Sequence, residues 1–219
     1  MARQIWRIPE PPQFLEYDEV RRIIDWVSLG SRHKYRDVLL LEAMWETGAR
    51  VSEVLMLTPE GIGQNSIILP NLKQKRWKRR GDMLPHKETI VSSELCQELK
   101  TYTLSNKISE RTPVFRGNRN PGKSLNRRYV HRLITKAADE CWIIKSKKMK
   151  SGPYAFTAAW PHLLRHSAAM FILDSTNDLK LVQRQLGHSS IVTTEMYASI
   201  RPETAKKGLS EIDWRGGKI

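Results

Sequence analysis

Cysteine is scarce in this chain: Cys96 and Cys141 are the only two in 219 residues, and they have neither metal-ligand nor redox spacing. No metal or redox site is expected from them, and both read as buried, reduced thiols. Long apolar runs are missing too. With no lipidation motif and no basic amphipathic terminus, a membrane is not an expected partner. The first 14 residues carry charges and Pro9, Pro11 and Pro12 where a secretory leader would need an apolar stretch, which points to the cytoplasm. Internal repeats and low-complexity tracts are absent.

Acidic residues are the scarcer charge. Asp and Glu number 23 against 37 Lys and Arg, giving a formal charge of +14 and a pI of about 10.0. A polyanion is the natural partner of such a chain, nucleic acid first. The hydrophobic content of 40% argues for a folded protein, and 219 residues suffice for one large domain or two small ones.

Residues 1–14 read as an extended arm carrying Arg3 and Arg7, since their prolines disfavour a helix. Val20, Ile23, Ile24 and Val27 then recur at helical spacing, with Gly30 as a stop. A second helix is predicted from about Tyr35, with Val38, Leu41 and Trp45 on one face and Gly48 near its end. Arg50 to Leu55 form one or two turns of a third, closed before Pro59. Residues 66–69 and 89–91 are rich in β-branched and aliphatic side chains and predict a small antiparallel hairpin around a basic, turn-rich segment. Further helices are expected over 94–104, 126–141, 162–173 and 179–186. Asn177 and Asp178 are suitable N-caps for the last of these, Gly187 a left-handed C-cap, and Pro161 a first helical residue.

Between 162 and 197 lie His162, Arg165, His188 and Tyr197. Each alone has an ordinary explanation: a capping or surface histidine, a solvated arginine, a cation at a helix C-terminus, a half-buried core tyrosine. Together they are groups able to bind a phosphodiester, move a proton and attack phosphorus.

The joint pattern resembles the tyrosine recombinase (integrase) family. His162 and Arg165 match its HxxR box, Leu186-Gly187-His188 its LGH box, and Thr47-Gly48-Ala49-Arg50-Val51-Ser52-Glu53 its first box. Tyr197 falls at the family's distance for the nucleophile. The resemblance runs from about Leu15 to Ser199. It implies a mainly α (α+β) fold, a helical catalytic domain with a small antiparallel β-hairpin or three-stranded sheet. The implied division is an arm over 1–14, the catalytic domain over 15–199, and a tail over 200–219 docking on a neighbouring protomer or packing on itself.

The roles implied are a phosphate clamp by Arg50 and Arg165, attack by Tyr197, and proton transfer assisted by His162. His188 would donate to a phosphate oxygen, with some ambiguity between the two histidines. Arginine suits the clamp because its planar fork binds two oxygens and stays charged. The family's lysine, which protonates the leaving 5′-oxygen, falls in a segment where Lys73, Lys75 and Lys78 crowd together; Lys73 fits best, following the Ile67-Ile68-Leu69 strand. Lys75, Arg76, Lys78, Arg79 and Arg80 then read as DNA-binding. Glu53, three residues after Arg50, would orient the arginine and histidine without touching substrate; the alternative is a surface ion pair worth about 0.5 kcal/mol.

No carboxylate set suits a two-metal nuclease, so neither metal nor cofactor is expected. Implied partners are double-stranded DNA, a homotetramer on two DNA sites, and an accessory DNA-binding protein, in a nucleoid-associated cytoplasmic setting. Family members usually carry a helical DNA-binding domain where this chain has about 14 residues. It is therefore expected to be either a minimal recombinase, like the small fimbrial phase-variation recombinases, or a catalytic fragment. The implied activity is site-specific recombination in integration, inversion or resolution of a mobile element or plasmid. Type IB topoisomerase-like relaxation, and a non-catalytic DNA-binding accessory protein, are the alternatives.

Overall fold

A computed structural model describes residues 14–72, 85–117, 120–143 and 160–187. Helix α1 (Tyr17–Gly30) forms where the spacing predicts it. Its stripe of Val20, Ile23, Ile24 and Val27 is buried, and Glu19 reaches back to the Glu16 backbone N–H to close a capping box. Burying each of those side chains is worth about 1.5–3 kcal/mol.

Helix α2 (Lys34–Thr47) departs from the one-faced helix expected. Leu39, Leu40, Leu41, Ala43, Met44 and Trp45 are all buried, while Val38 is only half-buried. The reason is position: α1, α4 (Ser93–Ser105), α6 (Pro161–Thr176) and the short α3 (Val51–Val54) all pack on α2, leaving only Glu42 and Glu46 partly exposed over its second half. Its first turn carries a polar network instead. The buried Asp37 carboxylate accepts from Arg36, from Ser31 and from the Tyr129 hydroxyl at 2.5 Å, tying α2 to α5 (Arg127–Glu140).

Strands β1 (Ser66–Pro70) and β2 (His86–Ile90) pair antiparallel, with Ile67 opposite Thr89 and Leu69 opposite Lys87. This is the expected hairpin, two-stranded, extended only by an isolated bridge from Ile62 to Ile67. A second pair, β3 (Arg116–Gly117) and β4 (Asn120–Ser124), has no counterpart in the sequence reading. Its Asn-Pro-Gly-Lys-Ser strand is fully exposed and lacks the β-branched alternation that marks a strand.

Helix α6 continues three residues past its expected end and stops at Asn177, which takes the left-handed conformation (φ 51°). Asn177 is thus the C-cap of α6, and Asp178 alone caps α7 (Leu179–Leu186), accepting from the N–H groups of Lys180 and Leu181. Val182 and Leu186 of α7 pack on Ala169 and Met170 of α6. Cys96 is buried as expected, but Cys141 is half-exposed at the end of α5. The proposed arm and tail lie outside the described residues, and no described helix is long and apolar enough to cross a membrane.

Candidate active site

The site is built where two helix C-termini meet a third helix near its start. Helix α2 ends at Thr47, whose hydroxyl donates to Ala43 O and accepts from Ala49 N, and Gly48 (φ 56°) reverses the chain in the left-handed region. A side chain at Gly48 would put its Cβ 2.5 Å from Leu186 Cδ2, so glycine is required both for conformation and for closeness. The reversal delivers Arg50 to the N-cap of α3. Glu53, at the third helical position, accepts from the Arg50 backbone N–H at 3.1 Å and from its guanidinium at 2.9 Å.

Pro161 opens α6 as its first residue. His162 follows, exposed at the helix start, and Arg165 lies one turn on, 2% exposed. Arg165 Nη1 donates to Gly48 O at 2.7 Å and Nη2 to Leu186 O at 3.0 Å. These are carbonyls at the ends of α2 and α7, where the helix dipoles present partial negative charge to the cation. Gly187 (φ 64°) closes α7 as the sequence predicts.

Arg50, Glu53 and Arg165 are therefore brought together, with His162 close enough to feel both arginines. His188 and Tyr197 lie outside the described residues, as do Lys73, Lys75, Arg76, Lys78, Arg79 and Arg80. Leu72, the residue before Lys73, is described, and its N–H donates to Glu53 Oε1 at 3.3 Å. The surface-pair alternative for Glu53 is excluded, since the carboxylate has no solvent exposure.

Lys87 is a site residue that the sequence reading missed. It points inward from β2, 7% exposed, with its ammonium 3.4 Å from Glu53 Oε2 and 3.2 Å from Leu186 O. The available signal was strand alternation: Thr89 is buried and Lys87, two residues earlier, shares its face. In sequence, a lysine at a strand end beside a basic segment reads as solvated.

Charge shapes the titration of each group. Burial alone would raise the Glu53 pKa, but the Lys87 ammonium and then the Arg50 backbone N–H and guanidinium outweigh it and hold the carboxyl below its usual value. For Lys87 desolvation dominates, with Glu53 only partly offsetting it and Arg165 and Arg50 adding repulsion; its pKa falls to about 8. The packing beneath the His162 ring, and then Arg165 and Arg50, keep that imidazole below its ordinary pKa. His166, edge-on to His162 with ring centroids 4.6 Å apart, is pushed down to about 4 by burial, His162 and Arg165. His162 is thus favoured as a neutral imidazole able to accept a proton. Arg50, Arg165 and Lys87 against Glu53 alone, three cations to one carboxylate, leave two positive charges in excess for an anion. Among the described residues no cluster of His, Cys, Asp or Glu is set to hold a metal ion.

The chain is 30% identical over 204 residues to tyrosine recombinase XerD of Staphylococcus saprophyticus, covering 92% of this chain and 62% of that protein. It is 31% identical over 206 residues to XerD of Bifidobacterium longum, covering 88% and 60%. The chain thus spans about three fifths of these relatives' length. The fold matches a XerH site-specific recombinase bound to palindromic difH substrate (TM-score 0.69, 18% identity, 92% of this chain and 54% of that one). It also matches the catalytic domain of bacteriophage HP1 integrase (TM-score 0.56, 19% identity, 94% and 99%). These likenesses agree with the mainly helical fold carrying a small antiparallel hairpin. The family model for phage integrases matches residues 13–204, and the chain belongs to the phage integrase family.

Proposed function

We propose that this chain carries the catalytic domain of a site-specific DNA recombinase that cleaves and rejoins DNA through a 3′-phosphotyrosyl intermediate. The observation that carries the reading is that Arg50, paired with the buried Glu53 carboxylate, and Arg165, 115 positions later and bonded to two helix-end carbonyls, are brought to one place. In-line attack on a phosphodiester builds negative charge on the nonbridging oxygens, and fixed guanidinium donors stabilise it without reorganising.

In the proposed step the Tyr197 Oη attacks phosphorus while the bond to the 5′-oxygen breaks. His162 takes the tyrosine proton, a role supported by its depressed pKa. Lys73 gives a proton to the leaving 5′-oxygen, and His188 donates to a phosphate oxygen. The 5′-hydroxyl of another strand can then attack the phosphotyrosine and regenerate free Tyr197, so the cycle needs no ATP. Glu53 orients Arg50 from beneath. Lys75, Arg76, Lys78, Arg79 and Arg80 are proposed to follow the DNA backbone.

Integration, inversion or resolution of a mobile element or plasmid is the proposed setting, with four protomers on two double-stranded DNA sites. An apolar groove lined by Trp45, Val91, Phe171, Ile172 and Leu181 supports docking of a neighbour's tail there. An accessory DNA-binding protein is proposed to strengthen the grip.

The test is a nicked suicide duplex carrying a site selected from random sequence by binding to this protein, resolved under denaturing conditions. The wild type should form a covalent protein–DNA adduct in EDTA. Absence of any adduct would overturn the reading, and relaxation of supercoiled plasmid lacking the site would favour a topoisomerase instead.

A further inference from the structure

We propose that Lys87 is a positioning residue that locks the turn carrying Gly187 onto the turn carrying Arg50, and so fixes where His188 begins. This rests on the recombinase reading for the roles of Arg50 and His188.

Three observations meet at this side chain. Its ammonium joins elements distant in sequence, reaching the Glu53 carboxylate of α3 and the last carbonyl of α7, Leu186 O. That same carbonyl accepts from Arg165 Nη2, so Lys87 and Arg165 grip one atom with two cations. The lysine stem also backs directly onto Gly187: a Cβ there would lie 2.7 Å from Lys87 Cδ and 3.6 Å from Nζ. The peptide unit joining Leu186 to Gly187, one residue before His188 in the chain, is thereby held by hydrogen bonds to its carbonyl and by packing of the lysine stem against Gly187.

A merely structural side chain in this place needs only a hydrocarbon stem. The ammonium adds something a stem does not, since it pairs the carboxylate that aims Arg50 with the negative end of the α7 dipole. One cation thus couples the aim of the first arginine to the placement of the turn before His188. The charged groups facing it are Glu53 and Arg50 from the α3 turn and Arg165 from α6.

Lys87→Met keeps the stem and removes the charge. Two readouts test the proposal. In the free protein, histidine-selective NMR should show the His188 imidazole signals displaced in K87M while those of His33, remote from the site, stay in place. Unchanged His188 signals would overturn the proposal whether or not cleavage is measured. With suicide DNA, K87M should cleave about tenfold to hundredfold more slowly than wild type, as expected for small misplacement of reacting groups, with DNA affinity within about twofold. In a His188→Ala background the same substitution should cost less than about threefold, because coupled residues do not act additively. Equal fold losses in both backgrounds would mean that Lys87 does not act through His188. A wild type that forms no adduct at all would refute the recombinase reading instead, leaving the NMR comparison to judge Lys87.

Discussion

Arg165 donates a 2.7 Å hydrogen bond to the carbonyl oxygen of Gly48, 117 positions earlier in the chain. That single contact joins the two halves of the site, because Gly48 ends the helix that leads into Arg50, and Arg165 lies one turn after His162. Gly48 also lets Leu186 approach, so α2, α6 and α7 converge on a residue without a side chain. The site is organised by backbone carbonyls at helix ends as much as by side chains.

Gly48→Ala should therefore weaken both fold and site. The new methyl needs a left-handed backbone at φ 56° and meets Leu186 Cδ2 at 2.5 Å. A loss of about 2 kcal/mol is expected, lowering the melting temperature by roughly 4–8 °C for a domain of this size. Calorimetry would show it, and an unchanged melt would contradict the packing described.

Glu53→Gln should leave Lys87 and Arg50 without their shared counter-charge, a loss of about 3 kcal/mol for a broken buried pair. The pH dependence has a definite sign. The folded Glu53 pKa lies below the usual 4.5, so its contribution is fully present above pH 4.5 and lost as pH falls through the lower folded value. Urea titrations between pH 3 and 6 should show wild-type stability rising toward the upper end, with that share of the slope missing in E53Q.

Lys87 has the same sign in a more alkaline window. Its pKa drops from 10.5 to about 8 on folding, so between those values the unfolded chain holds a proton that the native state has released. Wild-type stability should rise relative to Lys87→Met as pH climbs from about 8 to 10.5. In parallel, the ratio of wild-type to K87M cleavage rates should decline as pH passes through about 8 and the ammonium is lost. A ratio flat across that range would argue against a charged role.

Tyr129→Phe provides a contrast. The hydroxyl donates to Asp37 at 2.5 Å and accepts from Arg36 Nη2 at 2.8 Å, in a network packed on α2 away from the Arg50–Arg165 pair. Removing it should cost about 1–2 kcal/mol in chemical denaturation while leaving adduct formation by the folded protein unchanged.

What could be read in advance tracks how local its cause is. Helix α1 was legible from four apolar residues at helical spacing, and α7 from its caps, because both signals are complete within one element. The near-complete burial of α2 over its second half was not, since it depends on four neighbours contributed by other parts of the chain. Strand β4 escaped because its Pro-Gly-Lys sequence has no strand preference of its own. Within the site, Arg50 and Arg165 were legible through motif spacing. Lys87 was hidden, because only the fold brings a strand lysine against Glu53 and the end of α7. Glu53 was legible as a partner of Arg50, but its complete burial, and hence its second cation, came from packing.

The most direct measurement compares wild type with Tyr197→Phe on the nicked suicide duplex in EDTA. The wild type should yield a denaturation-resistant adduct in which the tyrosine is joined to a 3′-phosphate, and Y197F should yield none while still binding the DNA. An undiminished adduct from Y197F would show that another group attacks phosphorus and would contradict the assignment of the nucleophile.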